Sequence, residues 1–344
     1  MSNPSSVTPA PGLRDVAALA GVSMGTVSNV LNRPERVRPE NRRRVEEAIR
    51  ELNFVGSKTA IQFRSGKSDL VGVVVPDVGN PFWGDVLRGI ESVTDEKSPE
   101  HSLLVVSSRQ DSYREKRAIT SLLERGVDGL ILAPVGNDYT DLDNFTARGK
   151  RIVTIDRQLD AHSIASVVGN DVLGGSIAAT HLMDRGHRRI VFVNGPQTVA
   201  WSRDRWDGAV AAVEKAGRGH QTELTSIEVP DLTAVNGEAA VPEVLKRLPR
   251  GGAVLCANDL VALGVLNGLL SAGFDVPHDF SVVGYDDVEF ASRLSPSLTT
   301  IKQSPFDMGV VAAQLLLEDA DGKPRNVVFE PSLVVRGSSA PPSG

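Results

Sequence analysis

The chain has 344 residues, 41% of them hydrophobic and 23% charged, with a formal net charge of −6 and one cysteine, Cys256. This length predicts two or three domains of an ordinary soluble globular protein. The composition excludes several classes: apolar runs such as Leu70–Val75 are too short to cross a bilayer, residues 1–11 lack the features of a signal peptide, and a single cysteine cannot form an intrachain disulfide. We therefore expect a cytoplasmic protein without a membrane partner.

The charge is unevenly distributed along the chain. Residues 1–66 contain ten Lys or Arg and six Asp or Glu, a net charge of +4, so the remainder carries −10. A basic segment on an acidic body predicts that only the first part approaches phosphate groups. Chance is the alternative explanation, and charge alone does not decide between the two.

Two short helices joined by a glycine turn are predicted near the N-terminus. The first covers Leu13–Ala20, and Gly21 ends it because glycine adopts the left-handed conformation at least cost. Ser23 can cap the second helix, Met24–Leu31, and Pro39 suits the first turn of a third. This is a helix-turn-helix pattern, in which the second helix fits the major groove of DNA. The alternative is a helical hairpin that binds nothing.

The same residues resemble the headpiece of the LacI-type family of bacterial repressors. That headpiece has the pattern D-V-A-x-x-A-G-V-S-x-x-T-V-S-x-V-L-N, and residues 15–32 match each of its fixed positions. The resemblance implies a DNA-binding repressor that reads a pseudo-palindromic operator as a homodimer. Gly12 replaces a common threonine cap and Asn29 replaces a frequent arginine, so the operator sequence cannot be carried over from relatives.

The early residues of the second helix are the predicted base-reading residues. Asn29 can pair with adenine through two hydrogen bonds, and Met24 can contact a thymine methyl group. Residues 57–64 resemble the family's hinge helix, which implies that Phe63 wedges into the minor groove; packing against the headpiece is the alternative for Phe63. The predicted DNA-binding residues are Leu13, Ser23, Met24, Gly25, Thr26, Ser28, Asn29, Asn32, Ala60 and Phe63.

After residue 68, short apolar runs alternate with helical segments. The predicted strands are Leu70–Val75, Leu103–Val106, Gly129–Leu132, Arg151–Ile155, Ile190–Val193, Ala253–Cys256 and Ser281–Val283. This alternation predicts parallel sheets covered by helices on both faces. About 270 residues of it are enough for two similar α/β lobes, so we predict an all-α headpiece followed by two doubly wound parallel-sheet lobes.

The body resembles the sugar-responsive repressors of that family and the periplasmic-binding-protein fold. The matching segments are Asn80–Trp83, Asp156–Arg157, His181–Leu182, Gly186–Ile190, Ala257–Asp259, Gly284–Asp287 and Leu298–Ile301. The resemblance implies two lobes that close over a small ligand. The predicted division is a disordered tail (1–11), a headpiece (12–55), a hinge helix and linker (56–68), an N-lobe (69–169 plus 303–325), a C-lobe (170–302 plus 326–336) and a tail (337–344).

Several polar residues of the body fall where strands end, which is where open α/β sheets bind ligands. Carboxylates such as Asp156 accept hydrogen bonds from sugar hydroxyls, Arg205 donates them, and aromatic rings stack on the apolar face of a sugar. The predicted ligand-binding residues are Asn80, Phe82, Trp83, Asp156, Arg157, Trp201, Arg205, Asn258, Asp286 and Gln303, with Asn170 as a weaker candidate. The combination resembles a ribose-type site, although purine-sensing relatives share the frame, so a purine or nucleoside stays open.

Each of these residues also has a purely structural interpretation. Asn258 can cap the following helix, Arg157 and Arg205 can form surface ion pairs, and Phe82 and Trp83 can belong to the core.

Other classes of function find less support in the sequence. We expect no enzymatic activity, cofactor or metal, because nucleophile, acid–base and dinucleotide-binding motifs are missing, and Gly66-Lys67-Ser68 lacks the earlier glycine of a phosphate-binding loop. A sugar-binding transport protein is the competing class, and the helix-turn-helix opposes it. No heptad repeat follows Arg336, which argues against a coiled-coil tetramer. The operator, the direction of the ligand's effect and any co-regulator stay open.

Overall fold

The structure is a computed structural model that describes residues 11–54, 68–136, 138–159, 164–217, 222–248, 252–318 and 325–342. Two compact units divide between Ser68 and Asp69. The predicted N-terminal tail up to residue 10 and most of the predicted hinge segment, with Ala60 and Phe63, lie outside the described residues, as does the side chain of Asn32. No helix within the described ranges combines the length and apolar composition that a membrane span requires.

Three helices form the first unit: α1 (Leu13–Ala20), α2 (Met24–Asn32) and α3 (Pro39–Glu51). Gly21 ends α1 with φ 63° and ψ 41°, the left-handed conformation that its sequence position predicted. The Ser23 hydroxyl accepts a hydrogen bond from the Thr26 N–H at 3.1 Å and so begins α2. The core of this unit consists of small apolar side chains from all three helices, namely Val16, Ala17, Ala20, Val27, Val30, Val45 and Ala48.

The second unit contains two six-stranded sheets. The strands are β1 (Leu70–Val75), β2 (Ser102–Ser107), β3 (Gly129–Leu132), β4 (Arg151–Ile155), β5 (Ala165–Gly169), β6 (Arg189–Asn194), β7 (Glu223–Glu228), β8 (Gly252–Cys256), β9 (Phe280–Asp286), β10 (Thr299–Lys302), β11 (Asn326–Phe329) and β12 (Ser332–Val334). The helices are α4 (Pro81–Lys97), α5 (Ser112–Glu124), α6 (Leu142–Thr146), α7 (Asp171–Asp184), α8 (Ala200–Ala216), α9 (Ala234–Ala239), α10 (Val241–Arg247), α11 (Asp259–Ser271) and α12 (Pro305–Leu317).

Each sheet forms the centre of one lobe. The N-lobe sheet has the order β11–β5–β4–β3–β1–β2, with every neighbouring pair parallel. The C-lobe sheet has the order β12–β10–β9–β8–β6–β7 and is parallel except for β12. Successive residues of β1 alternate between two cores: Val73 packs with Phe82 of α4, and Val74 packs with Leu122 of α5. The predicted fold class is therefore confirmed.

The chain passes between the lobes at residue 170, at residues 303–304 and at residues 330–331. The third passage corrects the predicted lobe boundary, because β11 was assigned to the C-lobe with residues 326–336. It pairs instead with β5 of the N-lobe sheet, and the Ser166 hydroxyl donates to Asn326 Oδ1 at 2.9 Å. The strand has a short apolar run, Val327–Phe329, but nothing in this run indicates which of the two sheets it joins.

The C-terminal segment is a second correction. Residues 337–344 were predicted as a tail, yet Ser338 and Ser339 are buried in the C-lobe. The Ser338 hydroxyl accepts a hydrogen bond from the Thr299 N–H at 2.8 Å and donates to the Val282 carbonyl at 2.6 Å. A Ser- and Pro-rich sequence gives no sign of such burial, because its hydrogen-bond partners come from distant strands.

Candidate nucleic-acid interface and ligand cleft

The outer face of α2 is the candidate nucleic-acid interface. Val27 and Val30 are buried in the headpiece core and hold the helix in place. This leaves Met24, Gly25 and Asn29 exposed on the other side, with Thr26 and Ser28 half-buried beside them. The face is therefore a row of short polar and apolar side chains on a fixed rod, which can approach base edges without rearrangement.

Two predicted DNA contacts have structural roles as well. The Ser23 side chain is the N-cap of α2, and its hydroxyl lies 2.9 Å from that of Thr26. Leu13 is half-buried against the headpiece core. Their predicted contacts with DNA stay predictions. Any such contact must leave the cap of α2 and the packing of Leu13 intact.

Three arginines after α2 were not among the predicted contacts. Arg33, Arg36 and Arg38 are exposed, and within the described residues none of them forms an ion pair. In α3, by contrast, Arg42 is paired with Glu46 at 2.7 Å. Arginines without an ion-pair partner next to a candidate base-reading helix are suited to phosphate contacts, and the run of basic residues in the sequence is the signal that could have indicated them.

The candidate ligand site is a cleft between the two lobes. Its lining side chains come from the ends of strands in both sheets and from the helices that follow them. They are Pro76, Asp77, Asn80, Phe82, Trp83, Gln110, Asp156, Trp201, Arg205, Leu232, Asn258, Asp286 and Gln303. Nine of the ten predicted ligand-binding residues are in this set, so the structure brings together side chains that are up to 223 positions apart.

Arg205 is the centre of the cleft's charged network. Its guanidinium is buried and donates from Nε to Asp171 Oδ1 at 2.8 Å and from Nη1 to the Ala257 carbonyl at 2.6 Å. The guanidinium carbon lies 3.7 Å from the ring centre of Tyr285, whose hydroxyl donates to Asp171 at 3.0 Å. Arg205 is thus held rigidly, and its Nη2 faces Asp286 at 3.9 Å. Asp171 and Tyr285, which sequence reasoning missed, position it.

Two lining carboxylates lie at strand ends in unusual backbone conformations. Asp156 follows β4 with φ 71°, and Asp286 ends β9 with φ 111°. A positive φ in a residue other than glycine costs about 1–3 kcal/mol and is typical of functional sites. Burial raises the pKa of Asp156 to about 7, with Asp171 adding to the shift, and burial likewise raises the pKa of Asp286 to about 6. The cleft therefore holds carboxylates that exchange protons near neutral pH.

Two side chains at the lobe boundary hydrogen-bond one of these carboxylates, Asp286. Gln303, in the second passage between lobes, donates from Nε2 to Asp286 Oδ1 at 2.9 Å. Asn80 of the N-lobe also hydrogen-bonds Asp286, which lowers the pKa of that carboxyl against the effect of burial. Asp286 of the C-lobe is thus bonded from the other lobe and from a crossover, so it links the cleft to the lobe hinge.

Aromatic rings and an amide complete the lining. Phe82 and Trp83 are in edge-to-face contact with ring centres 5.0 Å apart, and both are buried in the N-lobe core as well as facing the cleft. Trp201 lies under the Arg205 guanidinium at 5.2 Å. Asn258 caps α11 by accepting from the Val261 N–H at 2.8 Å. These residues therefore have structural roles and also line the cleft, and their predicted contacts with a ligand stay predictions.

Arg157 and Asn170 do not line the cleft. Arg157 donates from Nη1 to the Gly136 carbonyl at 2.6 Å, close to the buried carboxylate of Glu115. Asn170 caps α7 by accepting from the Leu173 N–H at 3.1 Å. The position of Arg157 at a strand end correctly placed its backbone at the edge of the sheet. A strand-end position does not determine the direction in which a long side chain points.

The cleft is narrow in this conformation. It leaves about 40 Å³ of free space, which is room for about one ordered water. A monosaccharide has many times the heavy atoms of a water. For such a ligand to enter, the lobes must separate or the lining side chains must turn.

One group of potential metal ligands occurs among the described residues, and it lies outside the cleft. Asp69, His101 and Asp128 have side-chain atoms within 4.8 Å of one another. Lys150 donates to Asp128 at 2.9 Å, and the Asp69 N–H donates to Asp128 at 2.8 Å. Both carboxylate oxygens of Asp128 therefore already accept hydrogen bonds from groups of the protein.

Comparisons with known proteins match both units. Residues 12–57 match the family described as bacterial regulatory proteins, lacI family, and residues 179–339 match the periplasmic binding protein-like domain. The ribose operon repressor of Escherichia coli strain K12 is 32% identical over 340 residues, which cover 95% of this chain and 99% of that protein.

Solved structures show the same architecture. The lac repressor dimer, bound to operator and the anti-inducer ONPF, is 30% identical with a TM-score of 0.77 and covers 96% of this chain and 99% of its own. A LacI family transcriptional regulator from Enterococcus faecium, with bound ribose, is 27% identical with a TM-score of 0.71 and covers 79% of this chain and 99% of its own.

Proposed function

The chain belongs to the LacI family of bacterial DNA-binding regulators, and on that premise we propose that it represses carbohydrate-metabolism genes under the control of a small sugar bound between its lobes. The observation that carries the sugar is the cleft lining, where carboxylates, amides, one guanidinium and aromatic rings surround a single space. These groups complement the hydroxyls and the apolar faces of a monosaccharide.

DNA reading is assigned to the exposed face of α2. In this proposal two protomers present Met24, Gly25 and Asn29 to the major groove of two operator half-sites, and the arginines after α2 contact phosphates. Because the target is chromosomal DNA, the protein acts in the cytoplasm.

The lobe hinge offers a route from ligand to DNA affinity. Asp286 is bonded by Gln303 of a crossover and by Asn80 of the opposite lobe, and a sugar hydroxyl at this position competes for those bonds. The ligand then changes the relative stability of open and closed lobes. A coupling free energy of about 1–3 kcal/mol is sufficient for regulation.

Fluorescence anisotropy of labelled DNA tests this proposal. Fragments of the gene's own upstream region are titrated with the full-length protein, alone and with D-ribose, D-glucose, adenine or guanine, and unrelated DNA of equal length is the control. We expect one upstream fragment to bind with a Kd of about 10⁻⁸–10⁻¹¹ M and a sugar to change that Kd at least about fivefold.

Two results would contradict the proposal. If no upstream fragment bound better than unrelated DNA under any condition, the assignment of α2 to operator recognition would be wrong. If only a purine changed the Kd, the regulator would stand and the sugar would be replaced by a nucleobase or nucleoside.

A further inference from the structure

We propose that the cleft selects an uncharged polyhydroxyl ligand and excludes the phosphorylated form of the same sugar, because carboxylates outnumber cations both in the cleft and in the two described hollows beside it. This inference rests on the proposed function and narrows its ligand class. It matters because a phosphorylated sugar and its free precursor report different states of metabolism.

The one cation among the described residues at the centre of the cleft already faces carboxylates of the protein. Its lining includes three carboxylates, Asp77, Asp156 and Asp286, and one cation, Arg205. Arg205 already has the Asp171 carboxylate 2.8 Å from its Nε and Asp286 3.9 Å from its Nη2. A phosphate placed here would face a guanidinium whose charge Asp171 already balances. The three lining carboxylates would repel it.

The cleft continues past Gln110 into a second hollow with the same imbalance. Its charged lining residues are Glu115, Lys116, Asp138 and Asp231. The one cation among them, Lys116, has its Nζ 2.6 Å from Asp138 Oδ2. A phosphate carried into this hollow by a sugar in the cleft would find three carboxylates and one paired ammonium group.

A third hollow adjoins the cleft on the Asp156 side. Its carboxylates are Asp156, Asp171 and Asp204, and its cations are Arg157 and Arg203. Arg203 is paired with Asp204 at 3.1 Å, while Arg157 donates to the Gly136 carbonyl. Negative charge is again in excess, so within the described residues neither the cleft nor either of the two hollows beside it forms a built anion site.

Helix N-termini, the other usual anion sites, are largely occupied. Three helices that begin at the cleft or at the crossover have asparagine caps. The Oδ1 atoms of Asn80, Asn170 and Asn258 accept from the first turns of α4, α7 and α11 at 3.0, 3.1 and 2.8 Å. Two other described helices, α8 and α12, have no side-chain cap, but both carry a carboxylate near their start. Asp204 lies in the second turn of α8 and lines the third hollow, and Asp307 lies in the first turn of α12. A phosphate would displace a cap or meet a carboxylate.

The carboxylates suit hydroxyl groups for the same reason that they repel phosphate. Among the described residues none donates a hydrogen bond to the Asp156 side chain, which lines the cleft and can accept one from a sugar hydroxyl. Burial and the neighbouring carboxylates already raise the pKa of Asp156 to about 7. A phosphate dianion would add to this repulsion.

Isothermal titration calorimetry of the full-length protein at pH 7.5 tests the inference with two matched pairs. The probes are D-ribose with D-ribose 5-phosphate, and D-glucose with D-glucose 6-phosphate. We expect one neutral sugar to bind and its phosphorylated partner to bind at least about 100-fold more weakly. Asp156→Asn and Asp171→Asn are expected to reduce this ratio about tenfold or more, whereas Asp95→Asn, on the exposed side of α4, leaves it unchanged.

The outcomes separate the two proposals. A phosphorylated sugar that binds as tightly as its neutral partner, or more tightly, overturns this inference and leaves the sugar-responsive regulator intact. If neither member of either pair binds, the sugar assignment fails and this inference fails with it. Asp171→Asn removes a partner of a buried arginine and can unfold the protein, and in that case Asp156→Asn provides the test.

Discussion

The headpiece interface and the cleft are built in opposite ways. The proposed DNA-binding face is formed by neighbouring residues of one helix, and Met24 is 51% exposed. The cleft collects side chains from both lobes, and Arg205 is only 4% exposed. Contact with the bases of DNA needs exposed side chains on a rigid helix. A cleft that encloses a small ligand instead buries charged side chains, and buried charges need ion-pair or hydrogen-bond partners. Changes in the headpiece face should therefore alter binding alone, and changes in the cleft should alter both binding and stability.

The largest expected effect is that of Arg205→Ala. This change leaves the buried Asp171 without its ion pair and removes the cation from the Tyr285 ring. We expect the free energy of unfolding to fall by about 3–5 kcal/mol and the thermal shift caused by the ligand to disappear. Urea unfolding and a thermal-shift assay measure the two effects.

Arg203→Ala is the matched control for this prediction. Arg203 lies one half-turn earlier on α8, and its side chain is 53% exposed beside Asp204. We expect its loss to change the free energy of unfolding by less than about 1 kcal/mol. Equal stability of the two variants would show that the buried network contributes little.

Asn29→Ala tests the headpiece side of the comparison. Asn29 is exposed on α2, so its loss should leave the melting temperature unchanged. We expect the affinity for the operator to fall by about 1–3 kcal/mol, because a base contact is lost, and the affinity for unrelated DNA to stay the same. Anisotropy on both DNAs measures the change. An equal loss on both would mean that Asn29 contacts the backbone.

Arg36→Ala provides the contrasting variant. Arg36 is exposed after α2, and a phosphate contact there would weaken binding to both DNAs alike. The slope of log K against log salt should then decrease by about 1. An unchanged slope would remove Arg36 from the proposed interface.

The ligand-free protein should become more stable as the pH falls from 8 to 6. The pKa of Asp156 is raised from 3.8 to about 7, so the folded state binds a proton that the unfolded state does not hold in this range. A raised folded-state pKa stabilises at low pH, and that stability is lost as the pH rises through 7. The expected gain is about 1 kcal/mol, visible as a higher Tm in calorimetry at pH 6.

Asp156→Asn isolates this effect from other titrating groups. The variant should lose the part of the Tm difference between pH 6 and pH 8 that Asp156 contributes, while Asp286 and Asp259, whose pKa values are also raised, keep theirs; the variant should be the more stable protein at pH 8. Asp95→Asn, which is exposed, should keep the wild-type pH dependence. A pH dependence that is the same in all three proteins would contradict the raised pKa of Asp156.

The smallest expected effect is that of Ser23→Ala. The Ser23 hydroxyl satisfies the Thr26 N–H at the start of α2, and its loss should destabilise the headpiece by about 1 kcal/mol. Ser23→Gly should cost only a few tenths of a kcal/mol, because glycine leaves the N–H open to water. Hydrogen exchange of the α2 amides in the full-length protein distinguishes the two variants. Equal protection in both would argue against the cap.

The sequence predicted the parts of the molecule that depend on neighbours in the chain. The glycine terminus of α1, the serine cap of α2 and the central strands, such as Leu70–Val75, were found where they were expected. Apolar spacing of three and four residues and continuous buried runs are local signals. Three of the four edge strands of the described sheets were missed, as were the internal strands β5 and β10. The edge strand β2 was predicted from its apolar run, whereas Glu223–Glu228 at the edge of the C-lobe sheet has no such run.

The sequence by itself thus determined the headpiece, the two-lobed class of fold and most of the side chains at the cleft, because strand ends and helix starts are defined locally. Only the tertiary structure decided that Asp171 and Tyr285 position Arg205, that Arg157 turns away and that β11 joins the N-lobe. These outcomes depend on which distant groups satisfy a buried charge or an open sheet edge. Such partners are chosen by packing between segments far apart in the chain, and no pattern within one segment contains that information.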